Sequence, residues 1–222
     1  MSISLPRKLL AEFLGTYILI FSGTGAVVVD QVSGGALTHL GVGLTWGLIV
    51  MVMIYTFGDV SGAHMNPAVS IGFTVAGRFP IKDLAPYISA QTAGAFAASL
   101  TLRLLFPHNR LLGATIPAGS DMQSFVLEAI LTGILMLVVL NISHGAQEKG
   151  ITAGIAVGAT IGLEAIFAGP VCGASMNPAR SLAPALVSGN LEHLWIYLTA
   201  PIIGALVAIP IFRFIRGNIP VK

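Results

Sequence analysis

The amino-acid sequence predicts an all-α membrane protein with six transmembrane helices and two re-entrant half-helices, built as an inverted repeat of three helices. Three observations carry this prediction. Of the 222 residues, 55% are hydrophobic and only 9% are charged, whereas a soluble domain carries about 25% charged residues. Long apolar runs recur from one end of the chain to the other, and one ten-residue motif occurs twice.

Six apolar runs are long enough, or nearly so, to cross a hydrocarbon core, which takes about 20 residues in a helix. The first run contains Glu12, lacks a convincing cleavage site and is too long for a secretory signal, so we interpret it as a retained helix. The six runs cover residues 8–29, 37–57, 84–106, 125–142, 151–168 and 193–215.

Basic residues are distributed unevenly between the two predicted faces. An even number of spans puts both termini on one side, and the excess of Lys and Arg marks the cytoplasmic side. The other side holds only Arg103 and Arg110. Both termini are therefore expected in the cytoplasm, and no basic patch suggests a nucleic-acid partner. The basic residues of the termini and of the second and fourth connections are Arg7, Lys8, Arg78, Lys82, Lys149, Arg213, Arg216 and Lys222.

The repeat is the most informative feature of the chain. Residues 61–70 read SGAHMNPAVS and residues 172–181 read CGASMNPARS, with seven of ten positions identical and a separation of 111 residues. A weaker match of AEFLGT with LEAILT aligns Glu12 with Glu128. We therefore expect a single channel domain over residues 1–222, with repeats at approximately 1–110 and 111–222. Because three spans are an odd number, the second copy enters the membrane inverted.

The stretches that follow the two motifs, residues 67–76 and 178–187, are apolar but too short to span a bilayer. They suit re-entrant half-helices, which are tolerated where protein and water shield the backbone. Ordinary surface loops are the alternative, and the lack of charge argues against them. In the fifth run Gly154, Gly158 and Gly162 form a stripe of small residues that favours close helix packing.

Each Asn-Pro-Ala (NPA) motif is first of all a helix start, since Asn is a favoured N-cap and Pro is favoured at the first helical position. Two ordinary capped helices would explain that much. Here, however, both starts lie within a hydrophobic protein, and inversion brings them face to face. Two positive helix ends and two amide donors would repel cations, oppose proton conduction and favour neutral polar molecules. The motif residues are Asn66, Pro67, Ala68, Asn177, Pro178 and Ala179.

The segments before the two motifs are rich in small residues and, if extended, would line a path with backbone carbonyls. Arg180 replaces Val69 of the first copy. A charged side chain near membrane depth is functional by default, so we expect Arg180 to face the pore on its outer side. The predicted lining segments are Gly62, Ala63, His64 and Met65, and Gly173, Ala174, Ser175 and Met176.

These motifs resemble the aquaporin, or major intrinsic protein, family over essentially the whole chain. The stretches AGPVCGASMNPARSLAPALVSG and LWIYLTAPIIGA are similar to the plant nodulin-like intrinsic proteins and their bacterial relatives. Glycerol facilitators typically have Asp after the arginine, whereas this chain has Ser181. The resemblance implies a homotetramer in the cell membrane, with one pore per subunit and no cofactor.

The resemblance also implies a selectivity filter made by Arg180 with Trp46, Ala165 and Ala174. A displacement of one residue would put Glu164 there instead of Ala165. Water-selective members pair a histidine with an aromatic side chain, whereas two alanines here leave a wider opening. Water, glycerol, urea and uncharged metalloid acids such as arsenite, silicic or boric acid are the expected solutes, and a strict water channel is the alternative.

A few remaining residues could suggest a transporter, an enzyme or a metal site. Glu12 and Glu128 would suit the proton relay of an inverted-repeat transporter, but the resemblance implies that they brace the re-entrant loops by accepting backbone hydrogen bonds. Cys172 with His64 suggests no enzyme, because no oxyanion-hole motif accompanies them. We expect Cys172 to lie near the outer mouth of the pore, where a mercurial reagent would slow flux. We also expect solute flux to depend on pH through Glu164. The histidines are too scattered for a metal site: they are His39, His64, His108, His144 and His193.

Overall fold

The computed structural model describes residues 3–143 and 147–217, and for residues 147–151 it describes the backbone alone. Within these residues every regular element is an α-helix. Three positions named above, His144, Lys149 and Lys222, lie outside the described side chains.

Six long helices and two short ones follow one another along the described chain. Each predicted apolar run corresponds to one long helix, with ends that differ by a few residues, and the two predicted half-helices are both present. The predicted fold class is therefore confirmed. The helices are α1 (Leu5–Val32), α2 (Thr38–Ser61), α3 (Pro67–Val75), α4 (Ile81–Leu105), α5 (Asp121–Ile142), α6 (Gln147–Cys172), α7 (Pro178–Ser188) and α8 (Leu194–Arg216).

Five of the six long helices have the length and the apolar composition needed to cross a membrane: α1, α2, α5, α6 and α8. Helix α4 has 25 residues but is less apolar, because it carries Lys82 and Asp83 in its first turn and Arg103 in its last. It is also rich in Ala, Ser and Thr and buries Gln91 and Ser99. These two polar groups face the protein interior, so α4 belongs to the bundle without having the strongest membrane signal.

The long helices pack in pairs, α1 with α4, α2 with α6 and α5 with α8, and glycine lies at each crossing. A Cβ on Gly47 would come within 2.7 Å of the Gly158 carbonyl oxygen, and one on Gly94 or Gly204 would overlap the main chain of the partner helix. The glycine stripe predicted on the fifth run therefore packs directly on α2. Close helix approach through small residues is typical of membrane bundles.

The half-helices join the two halves of the chain. Helix α3 packs on α4 and on α8, and α7 packs on α8 and on α4. Each short helix therefore contacts the last long helix of both halves. This arrangement brings the two helix starts together in the middle of the bundle.

Basic side chains lie at both ends of the bundle and bind main-chain carbonyl oxygens there. At one end, Arg78 donates to the Leu140 carbonyl oxygen at 2.6 Å, and Arg213 donates to the carbonyl oxygen of Val75, the last residue of α3, at 3.2 Å. At the opposite end, Arg103 donates to the Asn109 carbonyl oxygen at 2.8 Å. The side chains of the first end hold the ends of α3, α5 and α8 together.

Candidate functional site

The two NPA motifs begin α3 and α7. Asn66 and Asn177 have extended backbones, and each caps its helix with its side-chain oxygen. Asn66 accepts from the Ala68 N–H at 2.9 Å, and Asn177 accepts from the Ala179 N–H at 3.0 Å. Proline at the first helical position costs no hydrogen bond there, because that N–H has no partner within the helix.

The caps are also linked to each other. The Asn66 side-chain nitrogen donates to the Met176 carbonyl oxygen at 2.8 Å, and the Asn177 side-chain nitrogen donates to the Met65 carbonyl oxygen at 2.9 Å. Each amide carries a second N–H donor. The side chain of each asparagine thus fixes the loop of the other copy as well as its own helix.

The segments that lead into the motifs have the same unusual backbone in both copies. Gly62 and Gly173 have φ of 88° and 86°, and non-glycine residues with positive φ follow at Ala63, Met65, Ala174 and Met176. The extended backbone considered for these segments is therefore not adopted at three of the four residues in each segment. A non-glycine residue with positive φ costs about 1–3 kcal/mol, and this backbone persists only where the surrounding structure holds it.

Two buried glutamates hold these segments. Glu12 accepts from the main-chain N–H groups of His64 at 2.9 Å and Met65 at 2.7 Å. Glu128 accepts from the N–H groups of Ser175 at 2.7 Å and Met176 at 2.8 Å. Both carboxylates are fully buried. The same contact is therefore made twice, at equivalent positions of the two copies.

The first copy has an additional polar network around Glu12. Gln91 donates to Glu12 at 2.7 Å and to Ser70 at 3.0 Å, and a ring nitrogen of His64 lies 3.1 Å from the Ser70 hydroxyl. The sequence motifs did not indicate Gln91. It is a fully buried amide on α4, and that isolated polar residue in a predicted apolar run was the available signal.

The second copy replaces this network with hydroxyl groups. The Ser175 and Ser181 hydroxyl oxygens are 2.5 Å apart, and Thr115 donates to Ser181 at 2.8 Å. Ser181 occupies the position equivalent to Ser70 and is fully buried. It therefore packs behind the loop instead of facing the path.

A central cavity of about 140 Å³ runs beside both motifs. Its wall is mainly aliphatic and aromatic, and both motif asparagines are among its polar groups. The other motif residues, Pro67, Ala68, Pro178 and Ala179, are buried and do not line this cavity. The predicted lining residues that border this cavity are Gly62, Ala63, His64, Met65, Ala174, Ser175 and Met176.

A wider outer cavity of about 470 Å³ meets the central one at Trp46 and Arg180, which border both. Of the other two predicted filter residues, Ala165 borders the outer cavity and Ala174 borders the central one. Gly173 lines the outer side. Glu164 is not among the residues that line either of these two cavities.

Arg180 is held in place by two contacts at the junction. Its Nη1 donates to the Gly113 carbonyl oxygen at 2.7 Å, and its Cζ lies 4.7 Å from the centre of a Trp46 ring. Gly113 was missed because a backbone acceptor in the connection between α4 and α5 leaves no motif. Arg180 is 4% exposed, so these two partners fix the guanidinium in a position that bulk water scarcely reaches.

Cys172 was expected near the outer mouth of the pore, but it does not reach that surface. It is fully buried, and its sulfur lies 3.4 Å from the Ala174 nitrogen. A mercurial reagent therefore has no direct access to the thiol, which corrects the expected sensitivity. Among the described residues, no group of three His, Cys, Asp or Glu side chains is placed to bind a metal.

The chain is similar to known proteins over most of its length. Residues 1–212 match the model of the major intrinsic protein family. The chain is 48% identical to aquaporin NIP1-1 of Zea mays over 220 residues, which cover 97% of this chain and 78% of that protein. It is 46% identical to aquaporin NIP1-2 of Arabidopsis thaliana over 227 residues, covering 97% and 77%.

The fold also matches a solved structure. The X-ray structure of the aquaglyceroporin from Plasmodium falciparum superposes with a TM-score of 0.86 at 30% identity, covering 96% of this chain and 98% of that one. The family model, the related sequences and the solved structure all agree with the doubled NPA motif at the centre of the helical bundle. The chain therefore belongs to the major intrinsic protein family of membrane channels.

Proposed function

We propose that this protein is a passive channel for water and small uncharged solutes, including glycerol, urea and uncharged metalloid acids, and that it excludes ions and protons. The observation that carries the proposal is the pair of asparagines that cap two half-helices and border one central cavity. The related proteins include channels named aquaporins and an aquaglyceroporin.

The centre of the path favours oxygen atoms of neutral molecules. Each asparagine uses an N–H on a carbonyl of the opposite loop and retains a second amide N–H for a passing water or hydroxyl group. Two helix N-termini add roughly half a positive charge each. Cations are repelled, and donors on both sides orient a file of water outward from the centre, which opposes proton transfer.

Charge along the path supports the same reading. Among the described residues that line the central cavity, Arg180 is the cationic side chain and there is no Asp or Glu. A cation entering from outside therefore meets Arg180 before the helix ends, with no acidic group in that cavity to offset them. Coulomb repulsion is strong where water is scarce.

The proposed filter is wider than a strict water filter. Ala165 and Ala174 present methyl groups, and Trp46 supplies an apolar wall beside the Arg180 guanidinium. A polyol can place its carbon chain on the indole while its hydroxyl groups bind Arg180. This combination favours the solute channel over the water-selective alternative.

Bracing is the role we assign to Glu12 and Glu128, in preference to proton transfer. Each carboxylate accepts two backbone N–H groups of a strained loop. Protonating either group would remove acceptors that hold the lining residues in place. An alternating-access transporter would need these groups to change partners during its cycle.

We further propose that both termini lie in the cytoplasm of a cell-membrane protein and that four subunits assemble, each with its own pore. The concentration of Arg78, Arg213 and Arg216 at one end of the bundle supports the orientation. Large exposed apolar side chains on α2 and α6, such as Leu44 and Phe167, suit contact with lipid or with other subunits.

Stopped-flow light scattering on proteoliposomes tests the solute range. Shrinkage under an impermeant osmolyte measures water flux, and re-swelling under glycerol, urea or boric acid measures solute flux. We expect fast shrinkage followed by fast re-swelling, each absent from protein-free vesicles. Fast shrinkage without re-swelling would instead establish the water-selective channel.

A further inference from the structure

The indole of Trp46 has two faces with different surroundings. Arg180 lies over a ring of this side chain, with its Cζ 4.7 Å from the ring centre. Trp46 borders both cavities, whereas Gly23 of α1 borders neither of them. The ring therefore separates the path from the α1 backbone.

The Gly23 backbone packs against one face of the six-membered ring of the Trp46 indole. A Cβ added to Gly23 would lie equally close to Cε3, Cζ3 and Cη2 of Trp46, far inside van der Waals contact. Equal distances to three atoms of one six-membered ring place the added carbon over the centre of that ring. Since the Gly23 backbone occupies this face, the Arg180 guanidinium lies over the other.

We infer that Gly23 is a positioning residue for the outer constriction, because the absence of its side chain lets the Trp46 ring sit back against α1 and keeps the passage beside Arg180 open. The inference rests on the proposed solute channel and names a residue that sets its selectivity without touching solute. Any side chain at this position would drive the ring toward Arg180 and narrow the passage.

The neighbouring glycines show that this contact is specific. A Cβ on Gly25 would lie 3.4 Å from a methyl carbon of Leu102, which is close to ordinary contact. Gly15 faces the flexible side chain of Met65, which can move aside. The indole is rigid, and well-packed interiors tolerate added atoms only by displacing such groups. Gly23→Ala therefore acts on Trp46, and Gly25→Ala is a matched control in the same buried helix.

The test compares Gly23→Ala, Gly25→Ala, Trp46→Phe and the double variant Gly23→Ala with Trp46→Phe in proteoliposomes of equal channel content. The phenyl ring is shorter than the indole and withdraws from Gly23. We expect Gly23→Ala to lower the ratio of glycerol to water permeability several-fold and Gly25→Ala to leave it within about twofold of wild type. In the Trp46→Phe background the Gly23→Ala change should have little further effect, as a double-mutant cycle requires for coupled residues.

Two results would overturn the inference. One is a Gly23→Ala protein that matches Gly25→Ala, and the other is an undiminished Gly23→Ala effect in the Trp46→Phe background, which would indicate a general change in helix spacing. If wild type passes water but no solute, the proposed solute range fails on its own. The Gly23 inference is then decided by water permeability per channel, which Gly23→Ala should lower and the added Trp46→Phe should restore.

Discussion

The Asn66 side-chain nitrogen lies 2.8 Å from the carbonyl oxygen of Met176 and donates to it. Asn177 makes the reciprocal contact with Met65 at 2.9 Å. Two half-helices that enter from opposite ends of the bundle are thus joined at their starts by four groups. Cap, loop and opposite loop form one unit, so a change in either asparagine is felt in both halves of the channel.

Replacing Asn177 with alanine should destabilise the protein and reduce flux. The variant loses a helix cap, worth about 1 kcal/mol, and leaves the buried Met65 carbonyl without this donor, at a cost of about 1–3 kcal/mol. Thermal unfolding followed by size-exclusion chromatography in detergent measures the effect. Asn190→Ala, in the connection after α7, is the control. Equal thermal stability of the two variants would contradict the role of the cap.

Replacing Glu128 with glutamine should lower both stability and flux. The amide retains one acceptor oxygen where the carboxylate uses two, so the Ser175 or Met176 N–H loses its partner. We expect a loss of about 1–3 kcal/mol and a clear reduction in water permeability. Glu192→Gln, at a side chain that is 83% exposed, should have no effect. A stable Glu128→Gln protein that has lost only proton movement would favour the transporter alternative.

Ala165→His should narrow the filter and reduce glycerol flux more than water flux, because the imidazole fills the space beside Trp46 and Arg180. The measurement is the ratio of re-swelling to shrinkage rates. Ala159→His, on the exposed side of the same helix, is the matched control. Equal loss of both fluxes would mean that Ala165 lies outside the filter.

Glu164 should make flux depend on pH. The side chain is 3% exposed, and neither of its carboxyl oxygens has a hydrogen-bond partner among the described residues. An unpartnered buried carboxylate is costly, so raising the pH toward ionisation would place a second negative charge behind the loop that Glu128 holds. We expect glycerol flux to fall as the pH is raised in wild type and to remain constant in Glu164→Gln. The same profile in both proteins would exclude a role for Glu164.

Much of this architecture was predictable from the sequence because membrane helices and helix starts depend on local chemistry. The apolar runs located the long helices, and Asn-Pro located α3 and α7 to within one residue. Helix α4 gave a weaker signal, since it carries charged residues in its first and last turns and buries Gln91 and small residues against other helices.

The parts that were missed depend on contacts between distant segments. The left-handed backbone of Ala63 and Met65 requires Glu12 to hold it, and the partner of Arg180 is the Gly113 carbonyl oxygen. The family resemblance implied the bracing by Glu12 but not the left-handed backbone that it holds. A backbone acceptor such as the Gly113 carbonyl oxygen leaves no motif in the sequence. Cys172 illustrates the converse, since its place in the chain suggested exposure and its packing removes it from the path.

The most direct test of the channel is to record solute flux and proton flux in the same vesicles. Proteoliposomes that contain a pH-sensitive dye are mixed with glycerol while a potassium gradient with valinomycin imposes a membrane potential. We expect re-swelling whose rate rises linearly with the glycerol gradient, while the dye signal stays at the level of protein-free vesicles. Re-swelling that saturates, or a protein-dependent proton current during glycerol entry, would contradict a passive channel for neutral molecules.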